Sequence, residues 1–291
     1  MSDETREEPA FVQAAAEVAG QEAVSSRYYH LRLRCPPVAG AASPGQFVLV
    51  ACQPDTAGAN DPLLPRPMAL LDADPRSGIL QFLYFVAGRG TSLLQKTAAS
   101  ADGGRPVKLR LIGPLGRGFE ALPGVDAHVG VGGGSGVAPL VFFFRRLPAS
   151  VAPRHLILAA RTRDQLARGE VVAVPGTEVH EATDDGSAGF HGHGVAALEE
   201  LLDGPLRGRR PALYVAGPEA MMLAAVELAR SRALPIRVSL EARMACGVGV
   251  CRACVVDGCR PHPKTGLRRR AVCQDGPVFD PDELAPPWGR S

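Results

Sequence analysis

Residues 246–254 read Cys-Gly-Val-Gly-Val-Cys-Arg-Ala-Cys, and a further cysteine follows at position 273. A C-x4-C-x2-C run with a distant fourth cysteine is the ligand spacing of a plant-type [2Fe–2S] cluster. Structural zinc sites more often present C-x2–4-C pairs, frequently with histidines. Gly247 and Gly249 suit a cluster, because backbone without a Cβ can approach inorganic sulfide and direct N–H groups at it. The run therefore predicts a [2Fe–2S] cluster held by Cys246, Cys251, Cys254 and Cys273.

The remaining cysteines fit a metal protein in a reducing compartment. The chain has seven cysteines, an odd number concentrated near its C-terminal end, which does not suit a disulfide scaffold. Cys35 and Cys52 lie in apolar, strand-like stretches, and we expect both to be small buried hydrophobic residues. Cys259 follows Cys254 in a loop rich in Gly, Pro and Arg, so it is the alternative fourth ligand, ranked below Cys273.

Composition excludes several classes of function. A length of 291 residues favours about two domains. The 32 basic and 30 acidic residues leave a net charge of +2, which argues against nucleic-acid binding and membrane-surface binding. The apolar run at residues 129–144 is too short and too rich in glycine for a membrane span. The acidic N-terminus lacks the basic-then-apolar order of a signal peptide, so we expect a cytoplasmic protein.

The first part of the chain has the pattern of a β-barrel. Short alternating or apolar strands separated by Gly, Pro and Asp are predicted at Leu31–Arg34, Gln46–Val50, Ile79–Val86 and Val107–Ile112. Such strands indicate a small antiparallel barrel, here assigned to residues 19–122 after an N-terminal extension of residues 1–18. Residues 54–65 have the composition of a long surface loop.

From Val125 onwards strands and helices alternate. Strands are predicted at His128–Val131, His155–Ala160, Glu178–Thr183, Leu213–Ala216 and Ile236–Leu240, and helices at Val137–Arg146, near Val195–Leu202 and at Glu219–Arg230. This order predicts a doubly wound parallel sheet of the α/β class over residues 123–238, followed by a cluster segment at 239–291. The loop Gly132-Gly133-Gly134-Ser135-Gly136 lacks the G-x-G-x-x-G pattern, yet its small residues would let nucleotide phosphates approach a helix N-terminus.

Three barrel motifs resemble the ferredoxin–NADP reductase superfamily: Arg66-Pro67-Met68-Ala69, Leu83-Tyr84-Phe85 with Gly88-Arg89-Gly90-Thr91, and the G-P-x-G-x-x-F run at 113–119. The resemblance implies FAD binding, with Arg66 on the phosphates and Gly90 and Thr91 at the pyrophosphate. Residues 67–69 and 83–85 would line the flavin. Two positions depart from the pattern, since Ala69 lacks a hydroxyl and Phe85 stands where a basic residue is common.

Three later motifs resemble the nicotinamide domain of the same superfamily: G-G-G-x-G-[VI]-x-P at 132–139, T-D-D-G-S-x-G-x-x-G at 183–192, and a C-G-P-x-x-M strand end at 216–221 with alanine in place of cysteine. The resemblance implies that NAD(H) binds as substrate. The implied binding residues are Gly132, Gly133, Gly134, Gly136, Asp185, Gly217 and Pro218. Arg161 and Arg163 are candidates for a 2′-phosphate, so NADH and NADPH both remain open.

The C-terminal signatures narrow the resemblance. E-x-R-M-x-C-G-x-G-x-C at 241–251 and V-C-x-D-G-P-V-F at 272–279 are similar to electron-transfer subunits of class 1B dihydroorotate dehydrogenase. That family implies an FMN-containing catalytic partner, a heterotetramer of two catalytic and two electron-transfer subunits, and a role in pyrimidine (UMP) biosynthesis. Electrons would run from FMN through the cluster and FAD to NAD+. We predict no catalytic side chain, since His191 and His193 lie in a glycine-rich loop typical of solvated residues.

Two alternative functions stay open. Small flavin subunits of NADH-dependent ferredoxin–NADP oxidoreductase and of sulfhydrogenases share the same layout. A zinc-stapled binding module without redox activity is the second alternative.

Residues 252–270 hold six basic residues and one acid, Asp257. This run, the basic flap, is either a docking surface for the partner or a solvated loop.

Overall fold

The computed structural model describes residues 11–26, 28–54, 61–103, 106–148, 150–151 and 153–288. Half of the predicted 54–65 loop, residues 55–60, lies outside these ranges, as does most of the N-terminal extension. Among the described residues, no helix is both long and apolar enough to cross a membrane.

The N-terminal half forms an antiparallel sheet of seven strands in the order β4-β3-β7-β1-β2-β6-β5. The sheet curls into a partly closed barrel, so that β4 contacts β6 near the opposite edge. Its strands are β1 (Val12–Ala23), β2 (Tyr28–Arg34), β3 (Phe47–Pro54), β4 (Arg66–Ala69), β5 (Asp72–Asp74), β6 (Ile79–Phe85) and β7 (Lys108–Leu115), with helices α1 (Pro36–Ala41) and α2 (Arg89–Ala99).

The alternation of side chains explains this sheet. In β3, Val48 and Val50 belong to the core inside the barrel, whereas Phe47 and Leu49 belong to the core shared with the C-terminal half. Neighbouring residues of a strand point to opposite faces, so β3 is covered on both sides. The barrel therefore offers an apolar outer face to the rest of the chain.

One boundary differs from the sequence prediction. The barrel is predicted to begin at residue 19, but β1 begins at Val12 and pairs with both β2 and β7. Residues 12–18 are therefore part of the sheet and not of an extension. Alanine and glutamate have low strand propensity, which is why the Val-Gln-Ala-Ala-Ala-Glu-Val sequence gives little signal.

The C-terminal half is built on a second sheet of seven strands in the order β11-β10-β9-β8-β12-β13-β16. All its neighbours are parallel except the last pair. The strands are β8 (Ala127–Gly133), β9 (Arg154–Ala160), β10 (Glu178–Thr183), β11 (Phe190–His191), β12 (Pro211–Ala216) and β13 (Ile236–Ser239), with helices α3 (Val137–Arg146), α4 (Gly194–Asp203) and α5 (Glu219–Ser231). The doubly wound sheet that the sequence predicts is confirmed.

The cluster segment completes this sheet. It contains the hairpin β14 (Val255–Asp257) and β15 (Arg269–Ala271), the short helix α6 (Val272–Asp275) and β16 (Val278–Phe279). Strand β16 pairs antiparallel with β13, and Arg237 Nη1 donates to Asp280 Oδ2 at 2.8 Å just beyond it. The cluster segment is thus joined to the nucleotide sheet by backbone pairing.

Helix α3 ties the barrel to the second sheet. Phe142 inserts into the barrel core, while Arg145 and Arg146 both reach Asp72 on β5, at 3.2 and 2.7 Å. The Asp72 side chain is only 16% exposed, so this pairing is more shielded from water than a surface ion pair. The two halves therefore hold a defined relation across their interface.

Candidate functional site

The cysteine loop lies on the outer face of the barrel. Gly247 has φ +69°, and a Cβ there would lie 2.7 Å from Leu49 Cδ1 and 3.0 Å from Leu115 Cδ1. No side chain fits between the loop and strands β3 and β7, and the positive φ itself favours glycine. The close approach observed at Gly247 is to the barrel, and the predicted approach of this backbone to inorganic sulfide stays a prediction.

The four predicted ligand thiols form two pairs. Cys251 acts on the pKa of Cys246, and Cys273 acts on that of Cys254, so the thiols interact as the pairs 246/251 and 254/273. Backbone N–H groups also point at sulfur: Gly249 N donates to Cys273 Sγ at 3.2 Å, and Cys251 N donates to Cys246 Sγ at 3.4 Å. The predicted glycine N–H contribution to the site is present at Gly249.

These contacts change the pKa values of the thiols. The pKa of Cys254 is lowered to about 6, chiefly because the Cys273 thiol donates to it. That same contact, together with burial, raises the pKa of Cys273. Burial works to raise the pKa of Cys246, but N–H groups of Cys251 and Val248 outweigh it and lower the value to about 7. Cys246 and Cys254 therefore favour the thiolate, the form in which cysteine binds metal, whereas Cys273 stays protonated as the donor to Cys254.

The pairwise arrangement distinguishes iron–sulfur from zinc. A tetrahedral zinc site with Zn–S bonds of about 2.3 Å brings every sulfur pair to roughly 3.8 Å. In the part of the chain that the structure describes, no three of these sulfur atoms lie within 4.8 Å of one another. Two separated pairs suit two irons that each take two thiolates. The geometry favours the predicted cluster over the zinc staple.

Cys259 is directed away from this group. Its Sγ donates to Leu284 O at 3.0 Å, whereas Cys273 receives the Gly249 N–H. Cys35 and Cys52 are buried, as expected from the sequence. The structure thus supports the predicted preference for Cys273.

A cleft of about 310 Å³ opens beside the cysteine loop, between the barrel and the basic flap. Cys273 and Gln274 line it from the cluster side, and His262 lines it from the flap. His262 Nε2 is 3.0 Å from Asp275 Oδ1, and this pair fastens the flap to α6. The cations that line the cleft are Arg117, Arg252, Lys264 and Arg269, so the cleft is positively charged.

The predicted pyrophosphate residues meet at the N-terminus of α2. The Arg66 guanidinium lies over Gly90, where a Cβ would be 2.6 Å from Arg66 Cζ. Thr91 Oγ1 accepts the N–H groups of Ala87 and Gly88, at 3.0 and 3.2 Å, which fixes the turn before the helix. A guanidinium beside free helical N–H groups is a suitable site for an anion such as a pyrophosphate. The residues present fit the phosphates of FAD.

Strand β4 shares the outer face of the barrel with the cysteine loop. Its Pro67 and Ala69 pair with Leu49 and Phe47 on β3, and cross-strand partners lie on the same face. Gly247 packs on that same Leu49. Met68, in contrast, is buried inside the barrel. Of the predicted flavin-lining residues of β4, Pro67 and Ala69 are therefore the two that face the cluster side.

The predicted flavin residues of β6 are divided between two faces. Tyr84 points into the barrel, where its hydroxyl donates to Gln21 Oε1 at 2.5 Å and burial raises its pKa. Leu83 and Phe85 pack in the core on the opposite side. There Phe85 lies 5.2 Å from the Tyr28 ring, and Tyr28 Oη is 2.9 Å from where a Gly134 Cβ would stand. The end of β6 thus meets the glycine loop of the second sheet.

The glycine loop follows β8 at a topological switch point. The chain leaves β8 for β9 on one side and later returns through β12 on the other. Ligands of open α/β sheets bind beyond the carboxyl ends of the strands at such a point. Gly136 packs so closely on the next loop that a Cβ would lie 2.6 Å from Gly217 N, and one at Gly133 would lie 2.8 Å from Pro218 Cδ. The structure brings these predicted nicotinamide residues together.

Asp185 belongs to an ordered turn after β10. Its carboxylate accepts from the hydroxyl and the N–H of Ser187, at 2.6 and 3.0 Å, and the hydroxyl contact lowers its pKa. The side chain is exposed and ionised. Asp185 therefore stabilises its own turn at the carboxyl edge of the sheet.

One hydrogen bond between the predicted sites has no signal in the sequence. Ser135 Oγ, in the glycine loop, donates to Glu241 Oε1 at 3.2 Å, at the start of the cluster segment. A serine and an exposed glutamate 106 positions apart carry no local pattern that would connect them.

Comparisons with known proteins agree with this architecture. Residues 241–285 match the iron–sulfur cluster binding domain of dihydroorotate dehydrogenase B. The electron transfer subunit of dihydroorotate dehydrogenase B (NAD+) from Desulforamulus reducens is 37% identical over 259 residues, which cover 88% of this chain and 92% of the relative. The same subunit from Geobacillus kaustophilus is 37% identical over 270 residues, 92% of this chain and 96% of the relative.

Solved structures show the same fold. A structure of NADH-dependent reduced ferredoxin–NADP oxidoreductase superposes with a TM-score of 0.75 at 26% identity, covering 94% of this chain and 90% of the other. A ferredoxin reductase of carbazole 1,9a-dioxygenase superposes with a TM-score of 0.60 at 22% identity, covering 78% and 69%.

Proposed function

The chain belongs to the family of electron transfer subunits of dihydroorotate dehydrogenase B, and on that premise we propose which of its residues hold each redox group and meet the partner. It is an oxidoreductase subunit of pyrimidine biosynthesis that uses FAD, a [2Fe–2S] cluster and NAD. The observation that carries the residue assignment is the shared outer face of the barrel, where Gly247 and the flavin strand β4 both lie against β3.

Cys246, Cys251, Cys254 and Cys273 hold the cluster. Their two sulfur pairs suit two irons, and the N–H groups of Gly249 and Cys251 stabilise negative charge on the sulfurs. Hydrogen bonds to cluster sulfurs are one of the means by which a protein sets the reduction potential. The loop therefore both binds the cluster and adjusts its potential.

Arg66, Gly90 and Thr91 hold the FAD pyrophosphate, and the rest of β4 and β6 shape the flavin site. Arg66 supplies positive charge, Gly90 leaves the space that its guanidinium needs, and Thr91 fixes the turn. When bound, FAD exchanges a hydride with nicotinamide and single electrons with an iron–sulfur centre. Pro67 and Ala69 lie on the side of the flavin site that faces the cysteine loop, whereas Leu83 and Phe85 lie on the side that faces the glycine loop.

NAD(H) binds at the switch point of the second sheet. The carrying features are the close approach of the two loops after β8 and β12 and the N-terminus of α3. The residues that we assign are Gly132, Gly133, Gly134, Gly136, Asp185, Gly217 and Pro218.

The partner is an FMN-containing catalytic subunit, assembled with this chain as a heterotetramer of two of each. Its docking surface is the tip of the cysteine loop and the basic flap. Val250, between two cluster cysteines, is 79% exposed, and Leu267 in the flap is 56% exposed. Apolar centres surrounded by charged rims are typical of protein interfaces. A reducing compartment, the cytoplasm, preserves the free thiols that the cluster requires.

The structure changes which flap residues are suitable for testing. The sequence hypothesis groups Arg268, Arg269 and Arg270, but Arg270 is only 6% exposed and donates to Arg260 O at 3.1 Å. Arg270 therefore supports the flap from inside. Arg268 and Arg269 are exposed and are the residues to reverse in charge.

Co-expression with the dihydroorotate-oxidising flavoprotein of the same genome tests the function. We expect a complex that reduces NAD+ with dihydroorotate. Cys251→Ser should abolish NAD+ reduction while the catalytic subunit still reduces an artificial acceptor. Recovery of a larger iron–sulfur subunit in place of that flavoprotein would favour the alternative related to ferredoxin–NADP oxidoreductase, whose fold this chain shares.

A double charge reversal, Arg268→Glu with Arg269→Glu, tests the docking surface. We expect weaker complex formation and a reduced dependence on salt, because opposite charges across an interface speed association. Arg76→Glu, in the exposed turn between β5 and β6, is the matched control and should change neither. Unchanged association and salt dependence in the double variant would remove the flap from the interface.

A further inference from the structure

Three metal-ligating side chains gather at the edge of the second sheet opposite the glycine loops. Strand β9 begins at Arg154 and strand β10 at Glu178, and the two run parallel with His155 directly opposite Glu178. Alternate residues of a strand share a face, so Glu178 and His180 point the same way. His155, Glu178 and His180 therefore share one face at the amino ends of adjacent strands.

The distances among their ligand atoms already match those of a bound cation. His155 Nδ1 lies 3.1 Å from His180 Nε2 and 3.3 Å from Glu178 Oε2, and His180 Nε2 lies 3.8 Å from Glu178 Oε1. Tetrahedral zinc with ligand bonds of about 2.0–2.1 Å separates its ligands by roughly 3.3–3.4 Å. In the described ranges, this is the only group of three His, Cys, Asp or Glu whose ligand atoms all lie within 4.8 Å.

The group is shielded on one side and open on the other. His155 is only 6% exposed. Glu178 is exposed and His180 half-buried, so the open side of the group faces water. A fourth ligand position is thus available to solvent, while the two rings are fixed by the sheet.

We propose that His155, Glu178 and His180 form a binding site for a late first-row divalent cation, with Zn²⁺ as the probe. Two imidazoles and one carboxylate suit zinc and its neighbours, whereas magnesium and calcium prefer sets made only of oxygen. A cation here joins β9 to β10 through side chains, in addition to their backbone ladder. The site lies at the amino ends of the strands, apart from the cysteine loop and from the nucleotide loops at the carboxyl ends.

Zinc titration of the iron-loaded protein tests the proposal, with zinc and iron both measured after equilibrium dialysis. We expect one zinc per chain with full retention of iron. Glu178→Gln and His180→Asn should each weaken zinc binding by roughly tenfold or more. His191→Asn, at an exposed histidine of β11, is the matched control and should bind zinc as the wild type does.

Retained flavin and iron in each variant show that the fold survives. Zinc binding that is unaffected by both Glu178→Gln and His180→Asn would overturn the site, as would zinc uptake that displaces iron or no uptake at all. These outcomes do not depend on the electron-transfer assignment, since dihydroorotate-driven NAD+ reduction is measured separately.

Discussion

Gly90→Ala places a methyl group where the Arg66 guanidinium now lies. The new Cβ would stand 2.6 Å from Arg66 Cζ, closer than such atoms approach, so one of the two must move. The guanidinium is the end of a flexible side chain, and it moves more readily than the helix. We therefore expect Arg66 to leave the N-terminus of α2 while the fold remains intact.

The structure predicts opposite effects on stability and on FAD binding. Alanine in place of a helical glycine stabilises the folded protein by up to about 1 kcal/mol. Loss of hydrogen bonds from a guanidinium to a phosphate costs about 1.5–3 kcal/mol of binding free energy. At 1.4 kcal/mol for each tenfold, the Kd for FAD should rise roughly ten- to hundredfold. A variant that is more stable without flavin yet binds flavin less well would be difficult to explain by general damage.

The assay pairs FAD titration of the flavin-free protein, followed by fluorescence quenching, with unfolding in denaturant. Gly40→Ala is the matched control, because Gly40 lies in helix α1, is exposed, and has no atom within 4 Å of the position of a Cβ. It should gain the same small stability and bind FAD normally. A Kd for Gly90→Ala within twofold of that of Gly40→Ala would refute the role given to Arg66.

Three further expectations address the rest of the molecule. Cys259→Ser should keep its full iron content, since Cys259 Sγ donates to Leu284 O, whereas Cys273→Ser should lose the cluster. Iron analysis and paramagnetic resonance of the reduced protein measure both effects. Iron loss in Cys259→Ser would contradict the ligand set. Gly136→Ala should lower the free energy of unfolding by about 1–3 kcal/mol and raise the KM for NADH, because the new Cβ would clash with backbone atoms of the neighbouring loop. An unchanged KM would show that this loop does not bind the nicotinamide nucleotide. Burial, aided by the charge of Arg154, lowers the pKa of His128. The contribution of the neutral ring to stability is therefore present above about pH 6.5 and declines at lower pH by at most about 1.4 kcal/mol per pH unit. His128→Asn should flatten the fall in unfolding free energy between pH 7 and pH 5, and an unchanged slope would contradict the assignment.

Features governed by local chemistry were predictable from sequence. The cysteine spacing predicts four ligands, because a loop around an inorganic core requires that spacing, and in the structure Cys246, Cys251, Cys254 and Cys273 interact as two pairs. The change from period-two strands to alternating strands and helices likewise identified both sheets. Each of these signals can be recognised within a short stretch of chain, such as the 28 residues from Cys246 to Cys273.

Features that depend on long-range pairing were not predictable. Strand β16 has two residues, too few for any periodicity, and its partner lies about forty positions earlier in the chain. The burial of Arg270 depends on the carbonyl of Arg260 across the hairpin, and the grouping of His155 with His180 depends on the register of two strands. The inward orientation of Tyr84 follows from its hydroxyl contact with Gln21 on β1. The first residues of β1 give little strand signal in the sequence, so this contact could not be predicted.

The antiparallel pairing of β16 with β13 also affects how the protein is made. An uncovered edge strand exposes unpaired N–H and C=O groups that can recruit other chains. Residues 278–279 cover that edge, and they lie beyond all four cysteines. A nascent chain interrupted between Cys273 and Val278 would have all four cysteines but an uncovered edge at β13, so this edge is protected from aggregation only after the whole cysteine set has been made.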